Sequence, residues 1–291
     1  MTKIQSQLFS KTPDGRDTHL FILDNGTVTV KITDFGGTII SILAPDKNGR
    51  YADVVLGYDS IAEYASNAGY VGALIGRVGN RIAEGKFTLN GIAYQLNCNE
   101  GKNHLHGGNE GFDRKIWTAE IIDMDGSDQL ELHYLSRDGE EHYPGNLQVT
   151  VTYALTDDNR LTITYCATTD KDTILNLTNH TYFNLAGHDS GSVENHEIKI
   201  LGDQVTATDD KLIITGKLDE VAGTPFDFTE FHKIGERIHD DFAPLAYGNG
   251  YDANWVLRKF HDPMPLVCEV VEPESGRRRT LTLSLSIRWQ E

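Results

Sequence analysis

The 291-residue chain carries little of what usually assigns a protein at once. Its 3 cysteines, Cys98, Cys166 and Cys268, are far apart and odd in number. That excludes a disulfide framework and a clustered cysteine metal site, and leaves them expected as reduced core residues. Cations are scarce: 26 Lys and Arg stand against 43 Asp and Glu, a formal charge of -17. Such a balance opposes binding to nucleic acid or to anionic membranes and suits a neutral or cationic ligand. No run approaches the roughly 18 apolar residues of a membrane span, and Met1 to Gly15 holds no apolar stretch of signal-peptide length. A soluble cytoplasmic protein is the expectation, in which the glycosylation sequons at Asn25, Asn176 and Asn179 stay idle.

Helical periodicity is equally thin. Only Ile61 to Asn67 and Phe231 to Asp241 have the length for two or three turns. Alternation is what fills the chain. Thr27 to Ile32 puts Val28, Val30 and Ile32 on one face, and Leu130, Leu132 and Tyr134 repeat the pattern. Val149, Val151 and Tyr153, then Asp157-Asp158-Asn159, then Leu161, Ile163 and Tyr165 read as a hairpin. The 28 glycines suit many tight turns, and 39% hydrophobic residues suffice for a sizeable core. With no Pro- or Ser-rich linker, the expected architecture is all-β: one antiparallel domain over residues 1–291, built as two packed sheets with few short helices.

Four segments concentrate chemistry. Asn179-His180-Thr181-Tyr182-Phe183-Asn184-Leu185 sets an imidazole among amides and aromatics. A histidine near its ordinary pKa of about 6.5 exchanges protons at neutral pH, and amides fix hydroxyls; a network serving only the fold is the alternative. Asn103-His104-Leu105-His106-Gly107-Gly108 places two histidines on the same side of an extended segment, with glycines that let a ligand come close to the backbone. No neighbouring carboxylate or cysteine completes a metal-ligand spacing, so no metal is expected there, and a histidine satisfied by backbone in a turn is the bland reading. Gly76-Arg77-Val78-Gly79-Asn80-Arg81-Ile82 offers donors for hydroxyl or carbonyl oxygens, although solvated arginines at a turn fit as well, and the Lys-Ser/Thr pair of a phosphate loop is missing. Gly250-Tyr251-Asp252-Ala253-Asn254-Trp255 sets a carboxylate beside two aromatics, suited either to a sugar or to a plain turn between strands.

Taken in order, these motifs resemble the aldose 1-epimerase (galactose mutarotase) family. Gly111-Phe112-Asp113, Trp117, Thr224-Pro225-Phe226-Asp227-Phe228 and Ser275-Gly276-Arg277 extend the likeness, which runs from about Asp34 to Arg277. The resemblance implies a large antiparallel β-sandwich that interconverts the α and β anomers of aldohexoses such as galactose and glucose without a cofactor. It also implies roles: His180 as general acid on the ring oxygen, His106 as a second imidazole near that oxygen, and Asn80, Arg81, His106, Tyr182 and Asp252 as binders of the sugar. Opening a hemiacetal requires one proton removed at the anomeric hydroxyl and one delivered to the ring oxygen, with both transfers reversed on closure, and an imidazole suits that exchange.

The likeness departs at the end of the chain. In the family the pattern continues for several tens of residues past Ser-Gly-Arg and contains a glutamate that acts as general base. Here Arg278 to Thr280 and the alternating Leu281, Leu283, Leu285 and Ile287 still read as a strand, and Glu291 follows with no supporting shell. The expectation is therefore a mutarotase-like domain lacking its C-terminal strands, with a non-catalytic sugar-binding or regulatory homologue as the alternative. An enzyme of phosphorylated sugars is a second rival, for which additional pocket arginines would be needed, and Arg77 beside Arg81 is insufficient evidence. The oligomeric state is not legible in these residues.

Overall fold

Strict alternation becomes strand wherever one face of the chain is buried. In the computed structural model, which describes residues 1–66, 69–259 and 261–284, two compact units emerge, Met1–Pro45 with Tyr51–Asn184 and Asp46–Arg50 with Leu185–Glu291.

The first unit begins with a five-stranded antiparallel meander: β1 (Lys3–Lys11), β2 (Asp17–Asp24), β3 (Thr29–Thr33), β4 (Ile39–Pro45) and β5 (Tyr51–Asp53). The Asn25 side chain accepts from the Thr27 and Val28 amides, which fixes the turn into β3 and starts that strand two residues later than the pattern predicts. Helix α1 (Ile61–Ser66) falls where its periodicity predicts, with residue 67 outside the described residues. Short pairs follow: β6 (Leu74–Ile75), β7 (Arg81–Ile82), β8 (Lys86–Leu89), β9 (Ile92–Gln95) and β10 (His104–Leu105). A four-stranded meander then runs through β11 (Thr118–Met124), β12 (Ser127–Ser136), β13 (Leu147–Leu155) and β14 (Leu161–Thr169), and β15 (Thr178–Asn179) returns to pair with β6.

The predicted hairpin is β13–β14, with Val151 opposite Tyr165 and Tyr153 opposite Ile163. Along β13 every odd residue from Leu147 to Leu155 is buried, as a strand with one face on a core requires. Phe21, Leu23, Val30, Ile32 and Ile39 from the first sheet meet Leu130, Leu132, Val149, Val151 and Tyr153 from the second in one cluster. Two antiparallel sheets thus face each other across a shared core, the sandwich expected from the alternation. Each such side chain contributes about 1.5–3 kcal/mol on burial, which ties register to stability: a slip by one residue would turn the whole face to solvent.

The second unit contains β16 (Glu197–Ile200), β17 (Gly202–Thr208), β18 (Ile214–Glu220), β19 (His232–Lys233), helix α2 (Ala243–Gly248), β20 (Trp255–Leu257), β21 (Leu266–Val271) and β22 (Arg278–Thr282). The helix predicted over Phe231 to Asp241 is not formed. The Ile234 and Gly235 amides donate instead to the His196 and Glu194 carbonyls, which holds this stretch as a short strand and a single 3-10 turn. The helix starts later, where Pro244 stands in the first turn with its φ already helical. Strand β22 covers the first part of the predicted C-terminal strand; Leu285, Ile287 and Glu291 lie outside the described residues. The cysteines depart from expectation as well: Cys98 and Cys166 are exposed, on outward-facing positions, and only Cys268 is partly buried.

Candidate active site

His180 is held by its backbone before its ring does anything. Thr178 and Asn179 lie opposite Ile75 and Leu74, the His180 amide donates to the Ala73 carbonyl at 2.9 Å, and the His180 carbonyl accepts from the Gly72 amide at 3.0 Å. Asn179 braces the same corner: its Nδ2 donates to the Gly72 carbonyl at 3.0 Å and its Oδ1 accepts from the Thr181 amide at 3.1 Å. Leu177 and Phe183 pack on the sandwich core, and the buried Asn184 donates its amide to Val54. The amides of this motif therefore build the platform on which the imidazole stands.

Four rings gather on that platform. The His106 centroid lies 5.2 Å from that of His180 at an interplanar angle of 81°, and Tyr70 lies 4.8 Å from His106 and 6.0 Å from His180. Tyr182, exposed, closes from the other side at 5.0 Å from His180, its hydroxyl donating to the Gly69 carbonyl at 3.2 Å. The cluster thus sets two imidazoles against two phenol rings, apolar C–H faces beside ring nitrogens.

The two nitrogens of His106 are distinguishable. Its Nδ1 lies 2.9 Å from the Asn80 backbone N–H, which can only donate, so Nδ1 is the acceptor and the ring proton sits on Nε2. A protonated ring would set one donor against another. Burial, with lesser contributions from His180 and Arg81, lowers its pKa to about 4, and His106 is a neutral Nε2–H donor at physiological pH. Two imidazoles this close cannot both carry charge cheaply, which acts in the same direction as burial on His106.

The histidine motif does not keep its two rings on one side. His104 is in β10, fully buried, its Nδ1 2.6 Å from the Asn97 carbonyl and its Nε2 2.6 Å from the Tyr143 hydroxyl. His106 lies past the strand at φ 52°, which turns its ring away from that network. Gly107 is glycine for a different reason from the one its position suggests. At φ 95° a Cβ there would lie 1.8 Å from the Gly76 carbonyl oxygen, so the space is filled by a neighbouring loop and not by a ligand.

The two arginines of the glycine-rich motif separate. Arg77 is 2% exposed. Its Nε donates to the Ser136 hydroxyl and its two Nη atoms reach the carbonyls of Ser136, Arg137, Pro144 and Gly145. It fastens the 136–145 segment to the site loop, where a solvated turn arginine was one expectation. Arg81, in β7 opposite Leu105, instead points to Glu100, with Nε to Oε2 at 2.8 Å and Nη2 to Oε1 at 2.7 Å. Asn80, at φ 66°, serves through its backbone, holding His106, while its side-chain oxygen accepts from the Arg81 amide.

Asp252 belongs to the second unit, in the loop between α2 and β20, and its side chain is exposed. The aromatics beside it are committed to packing: Tyr251 lies 5.0 Å from Phe228, and Trp255 donates its indole N–H to the Phe226 carbonyl at 3.0 Å. Among the described residues no three His, Cys, Asp or Glu side chains converge as a metal site requires. Three site residues escaped the sequence reading: Tyr70, Asn99, whose Nδ2 donates to the Tyr70 hydroxyl at 3.2 Å, and Glu100. Their only sequence signal is nearness to the motifs, Tyr70 ahead of Gly76 and Asn99-Glu100 ahead of His104.

Residues 19–286 match the family model described as aldose 1-epimerase. The chain is 40% identical over 260 residues to a galactose mutarotase of Sus scrofa, covering 89% of this chain and 73% of that protein. It is 40% identical over 261 residues to an aldose 1-epimerase of Escherichia coli K12, with the same coverage. Among solved structures it is similar to a galactose 1-epimerase from Lactobacillus acidophilus, at a TM-score of 0.82 and 27% identity over 94% of this chain and 78% of that one.

Proposed function

This chain belongs to the aldose 1-epimerase family, and on that premise we propose that it interconverts the α and β anomers of neutral aldohexoses, galactose and glucose among them. The reaction needs a proton placed on the ring oxygen as the anomeric hydroxyl loses one, rotation about the bond to the anomeric carbon, and closure on the other face. His180 delivers the first proton and takes it back. His106 adds a hydrogen bond from Nε2 to the same oxygen and, being neutral, does not compete for the catalytic proton. The proton of the anomeric hydroxyl passes to a general base on the opposite side of the ring, a role that the family resemblance gives to a glutamate following the Ser-Gly-Arg motif. Arg81, Asn80 and Tyr182 orient the hydroxyls.

The observation that carries this reading is the contrast between the two imidazoles, 5.2 Å apart, one wired by a backbone N–H into a fixed neutral tautomer. Polarimetry of freshly dissolved α-galactose and α-glucose tests it: the protein accelerates the approach to equilibrium, and His180→Asn lowers the rate by about 10²–10⁴. Absence of any acceleration by the folded wild-type chain would refute the proposal.

A further inference from the structure

The Arg81–Glu100 pair has a consequence for which sugars enter. Glu100 occupies the Nε–H and one Nη2–H of Arg81 in a two-point contact, with the Arg81 side chain 15% exposed and that of Glu100 35%. A guanidinium has five N–H donors and a carboxylate about four acceptor positions, so such a pair retains three donors and acceptor capacity on both oxygens, with a net charge of zero. Sugar hydroxyls, each donor and acceptor at once, are matched by this mixture. Anions are not, because the guanidinium is already compensated. Arg77, the one other arginine of the loop, is turned into the core with its donors on backbone carbonyls and the Ser136 hydroxyl. The formal charge of -17 adds repulsion at long range.

We propose that Glu100 is a specificity-determining residue, which by neutralising Arg81 makes the site reject anionic aldoses such as hexuronates. The proposal rests on the reading that Arg81 meets the sugar. Glu100 discriminates through a placed negative charge, a penalty against the wrong substrate, and costs the right one little.

The test is the ratio of kcat/KM for galacturonate to that for galactose, measured by polarimetry on the full chain. In Glu100→Gln the side chain keeps its shape and an acceptor for Arg81 but loses its charge. The ratio is expected to rise about tenfold at low ionic strength and to shrink toward the wild-type value as salt is added, because a unit charge acting over several ångströms of partly solvated protein is screened. Glu100→Ser removes the charge with a smaller side chain and gives the same shift, so the outcome does not hang on one variant folding. In the double variant Arg81→Gln with Glu100→Gln no uncompensated cation remains, and the ratio returns to within a few-fold of wild type. An unchanged ratio in either folded single variant overturns the proposal, as does a gain that persists without Arg81. A wild-type chain that accelerates neither sugar overturns the reading of the site itself, a result separable from a galactose-active enzyme whose ratio ignores Glu100.

Discussion

His106 can be split into its two nitrogens by substitution. Asparagine places an amide oxygen near the position of Nδ1, and glutamine places an amide NH2 near that of Nε2. His106→Asn therefore keeps an acceptor for the Asn80 N–H, now satisfied by Nδ1 at 2.9 Å, but offers nothing at the Nε2 position. His106→Gln keeps the outer donor and leaves the Asn80 N–H unpaired, at a cost of about 1–3 kcal/mol. The left-handed φ of 52° acts in the same direction, because asparagine tolerates it better than glutamine. Both variants lose the edge-to-face contacts with Tyr70 and His180, about 0.5–1.5 kcal/mol each. Stability by urea denaturation should then rank wild type, Asn, Gln. Activity should rank wild type, Gln, Asn, since a lost transition-state donor costs about 10²–10³ in rate. If asparagine proves both the more stable and the more active variant, the assignment of Nδ1 as acceptor and Nε2 as the working donor is wrong. The same ring predicts a pH dependence. Burial lowers the His106 pKa to about 4, against roughly 6.5 unfolded, so between these values the unfolded chain binds more protons than the folded one. The stability contributed by the neutral ring is complete above pH about 6.5 and is lost as pH falls toward 4, by about 3 kcal/mol at most. His106→Asn should flatten that part of the stability profile, and an unaltered profile would exclude His106 as its source.

Two predictions concern the scaffold. Arg77→Lys keeps the charge but replaces a planar fork with a single nitrogen, which cannot span the Ser136, Arg137, Pro144 and Gly145 carbonyls; a loss of about 3 kcal/mol in urea denaturation is expected, and an unchanged midpoint would show that the fork is dispensable. Gly107→Ala drives a methyl group into the Gly76 carbonyl at a φ of 95°, so thermal melting should fall by the equivalent of about 3 kcal/mol or more, with mutarotation falling too because His106 is the preceding residue; wild-type melting would mean that the two loops separate freely.

What could be read from the sequence was what repeats locally. Val149, Val151 and Tyr153 announce a half-buried strand through spacing alone, because period two and burial of one face are the same fact seen twice. His180 draws notice for another reason: an imidazole flanked by Asn and Tyr is costly to bury without partners. Helix α2 was misplaced because Phe231 to Asp241 has helical length but finds its backbone partners in His196 and Glu194, some forty residues earlier, which no local pattern reports.

Arg77 and Arg81 show where local reading stops. They stand four residues apart in one motif with the same charge, and the motif offers no means of telling them apart. Their fates are decided by distant chain: Arg77 meets a cluster of carbonyls contributed by residues 136–145, and Arg81 meets Glu100 because β7 pairs with β10. A buried guanidinium surrounded by carbonyls cannot turn outward to a ligand without abandoning several charge-assisted hydrogen bonds, each worth about 1.5–3 kcal/mol. No anion at the surface compensates that loss. The rival reading, an enzyme of phosphorylated sugars, needs additional arginines in the pocket, and the energetics of Arg77 in the core count against its being one of them.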